Sequence, residues 1–414
     1  MNSPNQLLFP ILIAASTFLQ ADDWPTWRGT NGNGLSNEKN VPEHWSRTKN
    51  VAWQVKLPGP GNSSPIVAKG KVFVTQATTD GKKRTLLCFD RQTGDKLWER
   101  TTLFANKEPT HKTNPFCSAS PATNGQVVVV ALGSAGMIAY DFDGREVWRR
   151  KDLGSQRHIW GTASSPVPYG KTFIQYRGPG PLVFMLALDA ATGKTVWKRE
   201  LTKSQGKDEK HWFGSWSTPV LRNNHGRDEL LMGLPKRLCA FDPKTGKPLW
   251  WCDGLGDLVY NNAASAGDLV MATSGYGGPA LGVKAGKNAS GDITSQRLWV
   301  TTKRNLQRIG TGAVAEDHYY ILTEPGILQC IEIATGKIAK QARVGKGGNW
   351  GSITHIDGKL YVTNQVGQTL VLSADPDFEV LATNSANEMT RGSAAFSNGQ
   401  VFLRTYEHLW CWGK

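Results

Sequence analysis

Long apolar runs are nearly absent from this 414-residue chain. The one candidate, Leu7 to Leu19, is too short to span a bilayer comfortably, and no later stretch is long enough to cross one. No transmembrane segment is therefore expected. The run follows Met1–Gln6 and precedes Ala21-Asp22-Asp23, which reads as the core of a secretory signal. Residues 1–21 are assigned to that signal and residues 22–414 to a single domain. The competing reading of residues 7–19 is an ordinary apolar strand. A signal of this kind places the mature protein in the periplasm or outside the cell.

Cysteine chemistry is equally thin. The six cysteines (Cys88, Cys117, Cys239, Cys252, Cys330 and Cys411) show no CxxC or adjacent spacing, so neither a zinc site nor a vicinal disulfide is indicated. No cysteine precedes Cys88, and attachment through a lipidated N-terminal cysteine is not expected. Cys88 and Cys330 hold the same register of two separate repeats, too far apart to bridge. The thiols are expected as small buried hydrophobes.

The sequence carries no H-E-x-x-H, G-x-S-x-G or G-x-x-x-x-G-K-[ST], which removes the commonest hydrolase and nucleotide signatures. The glycine-rich stretches at 275–278 and 345–348 lead into no helical pattern, so they do not cradle phosphate. The formal net charge is +14, yet Lys and Arg never run five together. This is a solvated basic surface rather than a nucleic-acid patch, and nucleic acid is not an expected partner.

What the chain has in abundance is glycine, 45 residues, and tryptophan, 16 residues. They fall in a repeat. The phrase D-x-x-T-G-x-x-x-W occupies Asp90 to Trp98, Asp189 to Trp197 and Asp242 to Trp250. A copy one residue shorter runs from Asp141 to Trp148, and a worn one from Glu332 to Lys337. A second phrase, two small residues and a proline, precedes each: Ser63-Ser64-Pro65, Ala119-Ser120-Pro121, Ser164-Ser165-Pro166 and Ser217-Thr218-Pro219. Its relics are Ala264-Ser265-Ala266, Thr311-Gly312-Ala313, Gly351-Ser352-Ile353 and Gly392-Ser393-Ala394. The phrases mark eight units, spaced by about 47 residues, which suits a four-stranded blade.

Turn chemistry supplies the strands. Lys69-Gly70, Asn124-Gly125, Tyr169-Gly170, Asp357-Gly358 and Asn398-Gly399 read as tight hairpins. β-branched and aromatic runs follow them, such as Val72 to Val74 and Leu360 to Val362. The Asp of D-x-x-T-G closes a turn and its Gly takes the left-handed position. The expected fold is all-β: an eight-bladed propeller of four-stranded antiparallel blades. The last unit has only three strands. Val51-Ala-Trp53-Gln-Val55 is the expected donor of the fourth, closing the ring and removing a free edge. Such a closed ring is expected to be a monomer.

From about Trp24 to Lys414 the pattern resembles the PQQ-like (pyrroloquinoline quinone) repeat family. Asp23-Trp-Pro-Thr-Trp27-Arg-Gly29 and the text from Ala187 to Trp197 carry the likeness. The resemblance implies that the repeated Trp98, Trp148, Trp197 and Trp250 dock between neighbouring blades. It does not fix activity, because the repeat serves both quinoprotein dehydrogenases and non-enzymatic propellers such as the BamB-type subunit.

In a propeller, the segments entering each first strand converge on one mouth. Here they bring His158, Trp160, Trp216, Asn261, Asn262, Arg308, Trp350 and Arg391, the candidate ligand funnel. Rings offer stacking surface and Arg a bidentate grip on carboxylate or phosphate. A PQQ-dependent enzyme needs calcium with Asn, Glu and Asp oxygens and a carboxylate base. Asn261 or Asn262 suits the Asn, but Glu108, Asp257, Glu324 and Glu388 form no recognisable set. No catalytic residue and no metal ligand is assigned. The expected function is a non-catalytic envelope scaffold that binds a protein or polysaccharide. A PQQ- and calcium-dependent oxidoreductase acting on an alcohol or sugar is the alternative, and a glycan-binding propeller a third reading.

Overall fold

The computed structural model describes residues 23–201, 213–301 and 309–413. The segment read as a secretory signal, residues 1–21, lies outside them. Eight antiparallel blades follow one another around a central channel. Blade 1 spans residues 66–103, blade 2 122–150, blade 3 167–200 and blade 4 220–253. Blade 5 spans 264–300, blade 6 313–343, blade 7 354–385 and blade 8 395–412. The first strand of each blade is innermost, and first strands touch between blades 8 and 1, 2 and 3, 5 and 6, and 6 and 7. Blade 8 takes its outermost strand from Val51–Lys56, antiparallel to His408–Trp412, with Trp53 opposite Cys411. The expected architecture and closure are both present.

The hairpins follow their residues. Lys69-Gly70, Asp357-Gly358 and Asn398-Gly399 hold both residues at positive φ, the conformation that matches strand twist in a two-residue turn. In Asn124-Gly125 and Tyr169-Gly170 only the glycine does so.

The D-x-x-T-G turn does more than turn. Asp90 accepts the backbone N–H groups of Gln92 and Thr93 at 2.8 and 2.9 Å, while Gly94 sits at φ +77°. A Cβ on Gly94 would meet the Trp53 ring at 2.7 Å. Gly144 stands so against Trp98, Gly193 against Trp148, Gly246 against Trp197 and Gly336 against Trp299. Each indole comes from the outer strand of the preceding blade and lies on the next blade's turn glycine. Its Nε1 donates to a carbonyl of that turn: Trp53 to Arg91, Trp98 to Phe142, Trp148 to Ala190, Trp197 to Pro243 and Trp299 to Ile333, at 2.8 to 3.1 Å. Burial of the ring and satisfaction of its single donor come together.

Trp250 departs from this pattern. It is fully buried, but blade 5 has no D-x-x-T-G turn to receive it. Its Nε1 points to Glu229 of its own blade at 3.3 Å. An insertion in blade 5 sends Gly291–Asp292 back to pair with Trp250 and Trp251, so blade 4 gains a fifth strand. Trp299, not singled out by the repeat, takes the docking place in blade 5.

The small-residue phrase forms a second link between blades. Ser64 N–H donates to Ser120 Oγ, Ser120 to Ser165, Ser165 to Thr218 and Thr218 to Asn262 Oδ1. Asn262 then donates to Thr311, Thr311 to Ser352, Ser352 to Ser393 and Ser393 back to Ser64. The bonds measure 2.8 to 3.1 Å and close a circuit around the channel. This circuit corrects the phrase register in two blades. The working residue in blade 5 is Asn262, not a member of Ala264-Ser265-Ala266. In blade 6 it is Thr311, as the middle of Gly310-Thr311-Gly312.

A buried arginine reinforces the seam. Arg404 of blade 8 reaches Ser63 Oγ, at the entrance to blade 1, at 2.9 Å and Thr75 O, within it, at 2.6 Å. Burial lowers its pKa to about 10, so it stays charged at neutral pH. All six cysteines are buried free thiols, and burial pushes Cys117, Cys239 and Cys411 up to about 12.

Two substitutions test these links. Trp148→Ala is expected to cost about 3 kcal/mol, the scale for truncating a buried indole. Ser393→Ala leaves the Ser352 N–H without its acceptor and is expected to cost about 1–2 kcal/mol. Urea titrations measure both. An unchanged midpoint for either variant would refute the corresponding blade-to-blade link.

Candidate functional site

The segment before blade 1 has a role that repeat reading did not reveal. Trp24 exchanges backbone hydrogen bonds with Val67 of blade 1, and Pro25 O accepts from Thr123 of blade 2 at 2.9 Å. The chain then crosses the channel. Arg28 Nη2 donates to Gly312 O at 2.6 Å and Ile353 O at 3.2 Å, at blades 6 and 7. Leu35–Ser36 pairs in parallel with His355 and Ile356 of blade 7. Thr30 to Gly32 lie against the first strands of blades 3 and 4, leaving a gap of only about 10 Å³. Glu38 accepts the Gly399 N–H of blade 8 at 3.0 Å. Residues 24–36 therefore plug the channel on its hairpin side. Burial without a carboxylate partner lowers the Arg28 pKa to about 10.

Above this plug lies a cavity of about 390 Å³, within the range of small-ligand sites. Trp27 is part of its lining at the plug. Ser64, Ser120, Ser165, Thr218, Ser352 and Ser393 line it with hydroxyls. These oxygens already accept the circuit's N–H groups, and each hydroxyl proton remains a donor.

One wall is aromatic. Trp216 and Tyr260 stack with centroids 4.7 Å apart and planes 14° from parallel. Trp160 lies 5.8 Å from Trp216 and 6.5 Å from Tyr276, and Tyr276 lies 6.1 Å from Tyr260. The opposite wall carries Trp350 and Arg391. The Arg391 guanidinium sits 4.6 Å from the Trp350 ring and 5.7 Å from that of Tyr406. Its Nη1 donates to Thr113 O at 3.2 Å and to the Tyr406 hydroxyl at 2.5 Å.

The funnel residues named from sequence thus divide. Trp160, Trp216, Trp350 and Arg391 line the cavity. His158 does not; it is buried behind the wall, edge-on to Trp216 at 4.9 Å. Asn261 is buried as a blade clamp, its Nδ2 donating to Ile309 O and Gly310 O at 2.8 and 2.9 Å. Asn262 belongs to the circuit. Arg308 lies outside the described residues. Tyr260 and Tyr276, outside the funnel set named from sequence, belong to the aromatic wall, and Trp27 was missed as part of the plug.

A calcium-held quinone finds little support in this donor set. Among the described residues lining the cavity none is a carboxylate; Asn262 Oδ1 accepts the Thr218 N–H, and Asn261, whose Oδ1 has no partner, is not part of the lining. Glu108 pairs with Arg84 at 3.0 Å and Asp257 with Lys236 at 2.9 Å. Glu388 accepts from Trp410 at 3.2 Å and faces His408 at 2.9 Å. With Glu407 and His408 it forms a compact group of metal-ligating types, but these bonds occupy its oxygens. The described residues that line the cavity do not fit a calcium–quinone centre.

Comparison with known proteins completes the description. A family model described as outer membrane protein assembly factor BamB matches residues 82–342. No curated protein matches the chain. Among solved structures, BamB from Moraxella catarrhalis superposes with a TM-score of 0.60 at 15% identity, over 88% of this chain and 97% of that one. A europium-containing methanol dehydrogenase gives 0.68 at 10% identity, over 95% and 98%. Quinohemoprotein alcohol dehydrogenase from Comamonas testosteroni gives 0.65 at 13% identity, over 95% and 80%. At such identities the likeness is one of fold.

The plug yields a prediction. Arg28→Ala strips charged donors from the Gly312 and Ile353 carbonyls and is expected to cost about 2–3 kcal/mol, the scale for hydrogen bonds to a charged group. Chemical denaturation measures it. A stability equal to that of the unaltered protein would show that Arg28 does not anchor the crossing.

Proposed function

Since the chain belongs to the PQQ-like repeat family whose model is described as outer membrane protein assembly factor BamB, we propose that it is a non-catalytic binding propeller of the cell envelope, engaging its partner at the cavity mouth. The observation that carries this reading is the lining itself: aromatic rings, hydroxyls, Asn62, Asn114, one arginine and His111, whose Nδ1 is engaged with Thr113 at 2.7 Å, without a carboxylate among the described residues. General base chemistry on an alcohol needs a positioned acceptor near the substrate, and calcium needs hard anionic oxygens. Rings with a few directed polar groups are what a recognition pocket requires.

The secretory reading of residues 1–21 supports an envelope location. The buried thiols suit it too, since burial shields them from oxidation and exchange. The partner is a protein or polysaccharide, and the closed ring works as a monomer.

Calorimetric titration of the mature protein with PQQ, with and without calcium, tests the proposal. No saturable heat is expected in either case. Calcium-dependent binding at micromolar concentration or below would overturn it in favour of a quinoprotein oxidoreductase.

A further inference from the structure

The cavity is selective in its chemistry, and that selectivity points to a ligand class. Its aromatic wall is continuous, running from Trp216 and Tyr260, stacked on each other, to Trp160 and Tyr276. Such a wall accepts a flat, weakly polar face. The hydroxyl ring offers donors without charge, and these suit hydroxyls on a ligand's other edge.

Arg391 adds a single fixed charge. Among the described residues it makes no ion pair. Its Nη1 is taken by Thr113 and Tyr406, whereas its Nε is shielded from solvent and has no hydrogen-bond partner. That leaves Nη2 as the nitrogen able to meet a ligand, and a carboxylate takes a charge-assisted hydrogen bond from it. A partly desolvated cation held between rings and left without a counter-charge favours an anion.

Resting on the binding reading above, we infer that the cavity is a subsite for an acidic saccharide, a uronic-acid residue whose sugar face lies on the Trp160–Trp216–Tyr260 wall and whose carboxylate meets Arg391. The sugar's apolar C–H face matches the rings. Its hydroxyls reach Ser120, Ser165 and Thr218, and its charge answers the cation. The net charge of +14 adds long-range attraction for an anionic polymer.

The test uses the unaltered mature protein and three probes: trigalacturonate, its fully methyl-esterified form, and a hexapeptide with a free C-terminal carboxylate. Tryptophan fluorescence and calorimetry follow binding. Trigalacturonate is expected to bind saturably and at least tenfold more tightly than the ester. Trp160→Ala is expected to weaken acid and ester alike, while Arg391→Gln removes the preference between them. Because Arg391 also ties Thr113 to Tyr406, melting curves accompany each variant. If Arg391→Gln does not fold, the acid-to-ester ratio on the unaltered protein decides the matter alone.

Equal affinity for acid and ester, silence with trigalacturonate, or tighter binding of the peptide would overturn the inference. None of these outcomes touches the non-catalytic reading, which stands or falls on the PQQ titration.

Discussion

The circuit of hydrogen bonds around the channel sets what every blade must do. A backbone N–H at the entrance of each first strand must find an oxygen on the next blade, and the oxygen must come from a short side chain. Ser, Thr and Asn meet that demand because they hold an acceptor close to the backbone. The demand repeats at each blade until Ser393 returns to Ser64. At five of the eight seams a second link runs nearer the rim, where a docking indole needs a carbonyl and a glycine on its neighbour. The inner link is polar and directional; the outer one is chiefly burial. Where both are present, neighbouring blades are fixed at two radii, which leaves little freedom to tilt.

These two links explain why the architecture was legible from sequence. Both depend on local residues recurring at one spacing, so the blade count and ring closure could be read without any contact being known. Reading failed where the chemistry was conserved but the letters changed. Asn262 does the work of a serine, yet it is not small, so the phrase in blade 5 was placed three residues late. Trp299 docks on Gly336 although no D-x-x-T-G turn precedes it in its own blade, because the insertion that erased the turn kept the outer strand. Trp250 kept the repeat's letters and lost its receiving turn, so the motif overstated its similarity to the others.

The site was legible only in part, for a different reason. Convergence on one mouth follows from topology, which placed Trp160, Trp216, Trp350 and Arg391 together. Whether a side chain then turns inward is decided by its neighbours. His158 sits in the same kind of segment as Trp160, but it supports the wall from behind. Asn261 spends its amide on the next blade's carbonyls. The crossing of residues 24–36 was invisible because nothing in it repeats. It is held by contacts hundreds of residues away in the chain, such as Arg28 with Ile353, and such pairings leave no periodic trace.

That crossing also breaks the ring's symmetry in a way that matters for what the cavity can hold. A propeller with an open channel is a pore, and a long polymer could thread it. With Trp27 and its neighbours across the channel, the cavity is a blind cup. A chain molecule can then enter only by a terminus or a short branch. Occupancy would count ends rather than mass, so cutting a polymer in two would double the sites on offer without changing its concentration by weight.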